Sequence, residues 1–215
     1  MSTAVTVGGG RDVRATLDGN AGGACVVACP PHPRHRGSRS DERLRAVSRA
    51  LVDRGVDCLR FDYGPWAEGE GEVRDAVNAV RHARGELGHE RVALFGYSFG
   101  GCVAFLAAAD LWETDTDAAG GDTDAAATRP AAVSALAPAR RLAADLDAVA
   151  AVGSLSIPMQ VVAGARDTTV EWEPVADAVR RRDGDCVELP ADHFFVGQAG
   201  TAAEVVAPFL ARSLG

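Results

Sequence analysis

Apolar and polar positions along the chain switch between two rhythms, and each switch marks part of a repeated unit. Ala24–Cys29 is a continuous apolar run of the length and kind shown by a strand buried on both faces. Residues 40–54 follow, with Leu44, Val47 and Leu51 at helical spacing and Gly55 placed to end the helix. The pair recurs as strand 57–63 with helix 72–87, where Val73, Ala76, Val77, Val80 and Leu87 share a face, and as strand 91–95 with helix 99–111. Strand 131–137 with helix 139–152, strand 158–163 with helix 174–182, and strand 185–189 with helix 201–214 complete the series, while residues 13–17 predict an opening hairpin. Repeated β–α units with short joints predict an α/β chain: a mainly parallel central sheet with helices on both faces. Sites in such sheets lie at the carboxyl ends of the strands. Residues 114–128, rich in Asp, Ala, Gly and Thr, read as an acidic surface loop within a single domain, 1–215, because core strands continue after them.

Length and composition narrow the partners. The chain has 215 residues, 47% of them apolar, which suits one core and is short for two. A net charge of −8 disfavours nonspecific binding to nucleic acid or an anionic membrane surface. All 22 basic residues are Arg, and many carboxylates without ammonium groups suit a protein kept soluble where salt screens its surface; codon bias alone gives the same composition. The five cysteines lie in apolar runs and read as buried free thiols, with no paired CxxC to hold zinc. Residues 1–12 have neither a basic n-region nor an apolar h-region, and no stretch approaches twenty apolar residues, so a soluble, cytoplasmic protein is expected.

The strongest chemical signal is Gly96-Tyr97-Ser98-Phe99-Gly100-Gly101, a G-x-S-x-G run between an apolar strand and a helix. A serine on a sharp strand-to-helix turn has strained dihedrals and needs tiny neighbours on both sides. Serine is inert without a base. Downstream, Asp167 follows the strand ending at Ala163, and His193 follows the strand ending at Leu189, in the order Ser, Asp, His. Ser98 is thus the expected nucleophile, His193 the base and Asp167 the acid orienting it. Asp145 is the fallback acid, and Asp192 reads as structural. An oxyanion hole needs two backbone N–H groups. Phe99 supplies one, and the proline-rich loop 29–37 must supply the other, with Arg34 the expected donor. His32 and His35 look like metal ligands, but nothing else supports a metal, and triad chemistry needs no cofactor.

These residues resemble the small, lidless members of the α/β-hydrolase superfamily, close to the dienelactone-hydrolase-like group. One set of those proteins carries an H-P-H-P-x-x-G-G loop, a G-x-S-F-G elbow and a final A-D-H-F-F. Pro31-His32-Pro33 and Gly37 match part of that loop, and residues 96–100 match the elbow. Ala191-Asp192-His193-Phe194-Phe195 matches the last motif, and Arg60-Phe61-Asp62-Tyr63 is similar to the family's R-F-x-[FY] strand. Pro30 replaces the loop's first His and Arg36 its first Gly. The resemblance implies the α/β-hydrolase fold, no cap domain, and hydrolysis of an ester, thioester or lactone, without a substrate. A small-molecule acyl partner is expected, in a modest pocket walled by Tyr97, Trp66, Phe99 and Phe194. Arg34, Arg36 and Arg39 with His32 and His35 form a basic patch beside it, either a clamp for an anionic acyl group or a solvated loop paired with surface carboxylates. A peptidase or acyltransferase on the same triad, and a catalytically silent binding module, are the competing functions.

Overall fold

The computed structural model describes residues 1–20, 22–117 and 129–215. In chain order the strands are β1 (Ser2–Val7), β2 (Val13–Asp18), β3 (Ala24–Cys29), β4 (Asp57–Phe61), β5 (Arg91–Tyr97), β6 (Val133–Leu136), β7 (Met159–Gly164) and β8 (Asp185–Leu189). They form one sheet in the order β1-β2-β4-β3-β5-β6-β7-β8. The β1–β2 hairpin is antiparallel and joins β4 antiparallel; every pairing from β4 to β8 is parallel. The helices are α1 (Glu42–Val52), α2 (Glu70–Gly85), α3 (Phe99–Asp117), α4 (Ala148–Ser154), α5 (Glu173–Arg180) and α6 (Ala199–Leu214). α1 and α6 pack on one face, and α2 to α5 on the other.

The periodicities translate directly into burial. β3 lies between two parallel neighbours and is buried from Cys25 to Cys29, whereas the edge strand β8 has no fully buried residue. Leu44, Val47 and Leu51 of α1 are all inaccessible to solvent. A side chain of this size stabilises the fold by roughly 1.5–3 kcal/mol when fully buried. Among the described residues, no helix is long and apolar enough to cross a membrane.

Three local expectations need correction. The segment expected to be a helix over 139–152 is helical only from Ala148, because Asp147 accepts the Val149 N–H as an N-cap and pairs with Arg141 at 2.8 Å. Pro138 to Asp147 instead forms a loop whose Ala139 N–H donates to the Ser98 carbonyl. α3 runs on to Asp117, since neither Gly nor Pro interrupts it after Gly101, so residues 114–117 are helix rather than loop; residues 118–128 of the expected acidic loop lie outside the described residues. α2 starts at Glu70, two residues early, because the buried Glu72 carboxylate accepts the Gly69 and Ala67 N–H groups.

The sheet order matters most at β3. From β3 the chain crosses to β4 on one side, then returns to β5 on the other, so the connections after β3 and β5 diverge and leave a crevice at their carboxyl ends. At the far side of β4, Asp18 pins the hairpin to the body. Its carboxylate accepts the Ser2 and Ser48 hydroxyls and the Arg60 guanidinium, each at 2.6 Å.

Burial pushes the Asp18 carboxyl up, but the hydrogen bonds from Arg60, Ser2 and Ser48 outweigh it, and its pKa is held below the usual 3.8. A lowered native value means that the unfolded chain takes the proton first as pH falls. The stability supplied by this cluster is therefore complete above the ordinary carboxylate range and lost as pH drops through the lowered native value. In melting temperatures recorded against pH, Asp18→Asn should lower stability at neutral pH and shrink the acid-side fall relative to the wild type.

Candidate active site

Ser98 holds a left-handed backbone conformation at the turn from strand to helix. β5 ends at Tyr97, Ser98 adopts φ +56°, and α3 begins at Phe99. A left-handed conformation at a residue with a Cβ costs about 1–3 kcal/mol and persists only where surrounding structure enforces it. Here the Ser98 N–H donates to the Leu136 carbonyl at 2.9 Å, and its carbonyl accepts the Ala139 N–H at 3.0 Å. The flanking glycines have a steric reason. A Cβ at Gly96 would overlap the Gly100 carbonyl, and one at Gly100 would overlap the carbonyl oxygens of Cys29 and Pro30. The elbow thus lies in backbone contact with the loop after β3.

The structure brings Ser98, His193 and Asp167 into one hydrogen-bonded chain. Ser98 Oγ lies 3.0 Å from His193 Nε2, and His193 Nδ1 lies 2.7 Å from Asp167 Oδ2. A carboxylate only accepts, so Nδ1 carries the proton and Nε2 is left to accept from the hydroxyl. Asp167 is 8% exposed and His193 5%, while Ser98 is half-buried. The other Asp167 oxygen accepts the Thr169 N–H at 2.8 Å, which fixes the carboxylate's rotation. Asp145, the fallback acid, is exposed and lines a separate hollow between α2, α3 and α4.

The loops carrying the acid and the histidine are bound to each other and to the elbow. Ala165 and Arg166 donate to the carbonyls of Leu189 and Ala191. Asp192 accepts the N–H groups of Phe194 and Phe195, the structural role expected of it. Tyr97, expected as a pocket wall, borders the cleft but is 2% exposed, and its hydroxyl donates to the His193 carbonyl at 3.0 Å. Arg43 of α1 stacks over the Tyr97 ring at 4.5 Å and donates to the Phe194 carbonyl. Nothing local in the sequence marks Arg43, which lies 151 positions from the loop it holds.

The cleft at Ser98 has a volume of about 510 Å³. Trp66, Phe99 and the 53%-exposed Phe194 line it, as does Arg36. Arg34 does not take the place expected of it: its N–H donates to His32 Nδ1 at 3.2 Å, so it is not available to an oxyanion. Neither the Phe99 nor the His32 N–H finds an acceptor among the described residues, and the two rings touch at 4.7 Å. Arg39 of the basic patch forms an ion pair with Asp62, as a solvated loop would. The five thiols are free, four of them buried and Cys186 half-buried; burial pushes Cys58 and Cys102 up to about 12, which makes them poor nucleophiles. Among the described residues no three His, Cys, Asp or Glu side chains group as metal ligands.

No protein-family model matches the chain, and no curated protein matches it in sequence. Solved structures match it over nearly its whole length. A dienelactone hydrolase from Anabaena variabilis is 21% identical with a TM-score of 0.79, covering 100% of this chain and 99% of its own. An α/β serine hydrolase without a lid from Xanthomonas campestris is 20% identical with a TM-score of 0.76, covering 99% and 95%. An esterase from Pyrococcus furiosus is 17% identical with a TM-score of 0.78, covering 100% and 92%. At these identities the likeness is one of fold, and the fold of this chain is that of the lidless α/β hydrolases.

Proposed function

We propose that the protein is a serine hydrolase that cleaves a small ester, thioester or lactone through an acyl-enzyme intermediate. One observation carries the reading: the hydrogen-bonded chain from Ser98 Oγ through His193 to Asp167, anchored at a strained elbow that opens on the cleft. His193 Nε2 takes the hydroxyl proton as Ser98 Oγ attacks the substrate carbonyl carbon, and Asp167 stabilises the imidazolium. The carbonyl oxygen becomes an anion held by the Phe99 N–H and the His32 N–H, with the N-terminus of α3 behind them. His193 then protonates the leaving group as its bond to carbon breaks. Water, deprotonated by His193, adds to the acyl carbon, and the ester bond to Ser98 breaks as His193 returns that proton to Ser98 Oγ, releasing the acid and restoring the free serine.

A cleft of about 510 Å³, lined by Trp66, Phe99 and Phe194 among others, suits a small acyl substrate. A peptidase or an acyltransferase would use the same steps with an amine leaving or with an acceptor other than water. The intact chain of hydrogen bonds argues against a silent binding module, which has no need to orient a serine hydroxyl.

Two measurements test the reading. A fluorophosphonate should label Ser98 alone in the wild type, and Ser98→Ala should lose both labelling and at least about 10⁴-fold in p-nitrophenyl ester turnover; a folded wild type that stays unlabelled overturns the assignment. Asp167→Asn keeps the shape but lets the side chain donate to Nδ1, turning the imidazole to the wrong tautomer. The expected fall in kcat is about 10³–10⁴-fold with KM little changed, read by steady-state kinetics.

A further inference from the structure

His32 is the hub of the loop after β3. Its carbonyl accepts the N–H groups of His35 at 2.9 Å and Gly37 at 3.1 Å, while its Nδ1 accepts that of Arg34 at 3.2 Å. These bonds close a short 3₁₀ turn over Pro33–His35. The ring is sandwiched: His35 and Trp66 each stack on it with centroids 4.7 Å away and interplanar angles of 24° and 25°. Phe99, which bears the elbow's own free N–H, meets the same ring at 4.7 Å.

Pro30, Pro31 and Pro33 have no N–H. Arg34, His35 and Gly37 spend theirs on His32, and Arg36 donates to the Pro33 carbonyl at 3.2 Å. Over residues 30–37, the His32 N–H is the one main-chain donor without an acceptor among the described residues. The residue that organises the turn is also the residue that offers the donor.

Building on the hydrolase reading, we propose that His32 is a positioning residue for the oxyanion loop, whose neutral ring holds the turn through the Arg34 N–H and whose protonation releases it. Only an unprotonated Nδ1 can accept that hydrogen bond; in the imidazolium, N–H would face N–H. The surroundings favour the neutral ring. Burial first, then the charges of His35 and Arg34, lower its pKa below the usual 6.5, against a weaker opposite pull from Glu72 of α2. The other charged groups on the cleft are Arg36, Asp41 paired with Arg43, Arg141 paired with Asp147, and His193, so no free carboxylate among them favours a second cation. With a lowered native value, the turn is complete at neutral pH and is lost as pH falls through that value.

The test compares the wild type with His32→Asn and His32→Phe. Asparagine can accept the Arg34 N–H as a cap without titrating, whereas phenylalanine keeps the stacking and removes the acceptor. With p-nitrophenyl esters, His32→Phe should lower kcat about 10- to 100-fold with KM within about threefold, and His32→Asn should recover most of the loss. The acid limb of kcat/KM should report two proton uptakes in the wild type and one in His32→Asn. In wild-type ¹H–¹⁵N spectra the Arg34 amide should shift with the midpoint of the His32 ring. A His32→Phe protein with wild-type kcat, or an Arg34 amide indifferent to the ring's titration, overturns the proposal, and the spectra decide it if that variant does not fold. Fluorophosphonate labelling of Ser98 separates the two levels: labelled wild type with unaffected His32 variants sinks only the role of His32, whereas unlabelled, folded wild type sinks the hydrolase reading and this role with it.

Discussion

Backbone touches backbone where the β5–α3 elbow meets the loop leaving β3, and Gly100 is the reason that it can. Any side chain there would collide with the carbonyls of Cys29 and Pro30. The approach turns two connections at neighbouring strand ends into one unit and sets Phe99 against His32. Ser98 bears the strain, and its hydrogen bonds to Leu136 and Ala139 tie that strain to β6 and the loop beyond it. A rigid parallel sheet makes the arrangement stable, because the strands on either side of β5 cannot shift to relax the turn without breaking their ladders.

The histidine reaches the elbow by a separate route. Its loop leaves β8, crosses the loop from β7 through two main-chain hydrogen bonds, and is gripped from above by Tyr97 and Arg43. Tyr97 sits immediately before the serine, so a single element sets both ends of the Ser98–His193 contact. Arg43 adds the α1 face to the same grip. Each arm alone is a surface loop; together they hold a 3.0 Å and a 2.7 Å contact in register.

Arginine supplies much of the cross-linking. Arg60 joins β4 to Asp18 and to the Arg39 carbonyl, Arg39 pairs with Asp62, and Arg11 reaches Asp75 and the Pro65 carbonyl beside Trp66. Each guanidinium serves more than one acceptor on separate segments, which its planar fork of donors permits and a lysine's single ammonium does not do as well. In a chain of net charge −8 these contacts tie separate strands, helices and loops to one another.

The order of elements and the candidate triad were legible in the sequence because both rest on local rules. A strand buried between parallel neighbours must be apolar throughout, as β3 is, and α1 must carry Leu44, Val47 and Leu51 at helical spacing. A serine turn wedged between strand and helix must be flanked by glycine, and a base and an acid must follow at strand ends. The residues that depend on where distant segments meet were not legible. Arg43 holds a loop 151 positions away, Asp147 sets the start of α4 by an N-cap that helical periodicity does not reveal, and Arg34 loses its N–H to the ring of His32 two residues before it. Spacing along the chain says which groups are available; only packing decides which donors are already spent, since every main-chain N–H that finds a partner in the fold is withdrawn from the chemistry.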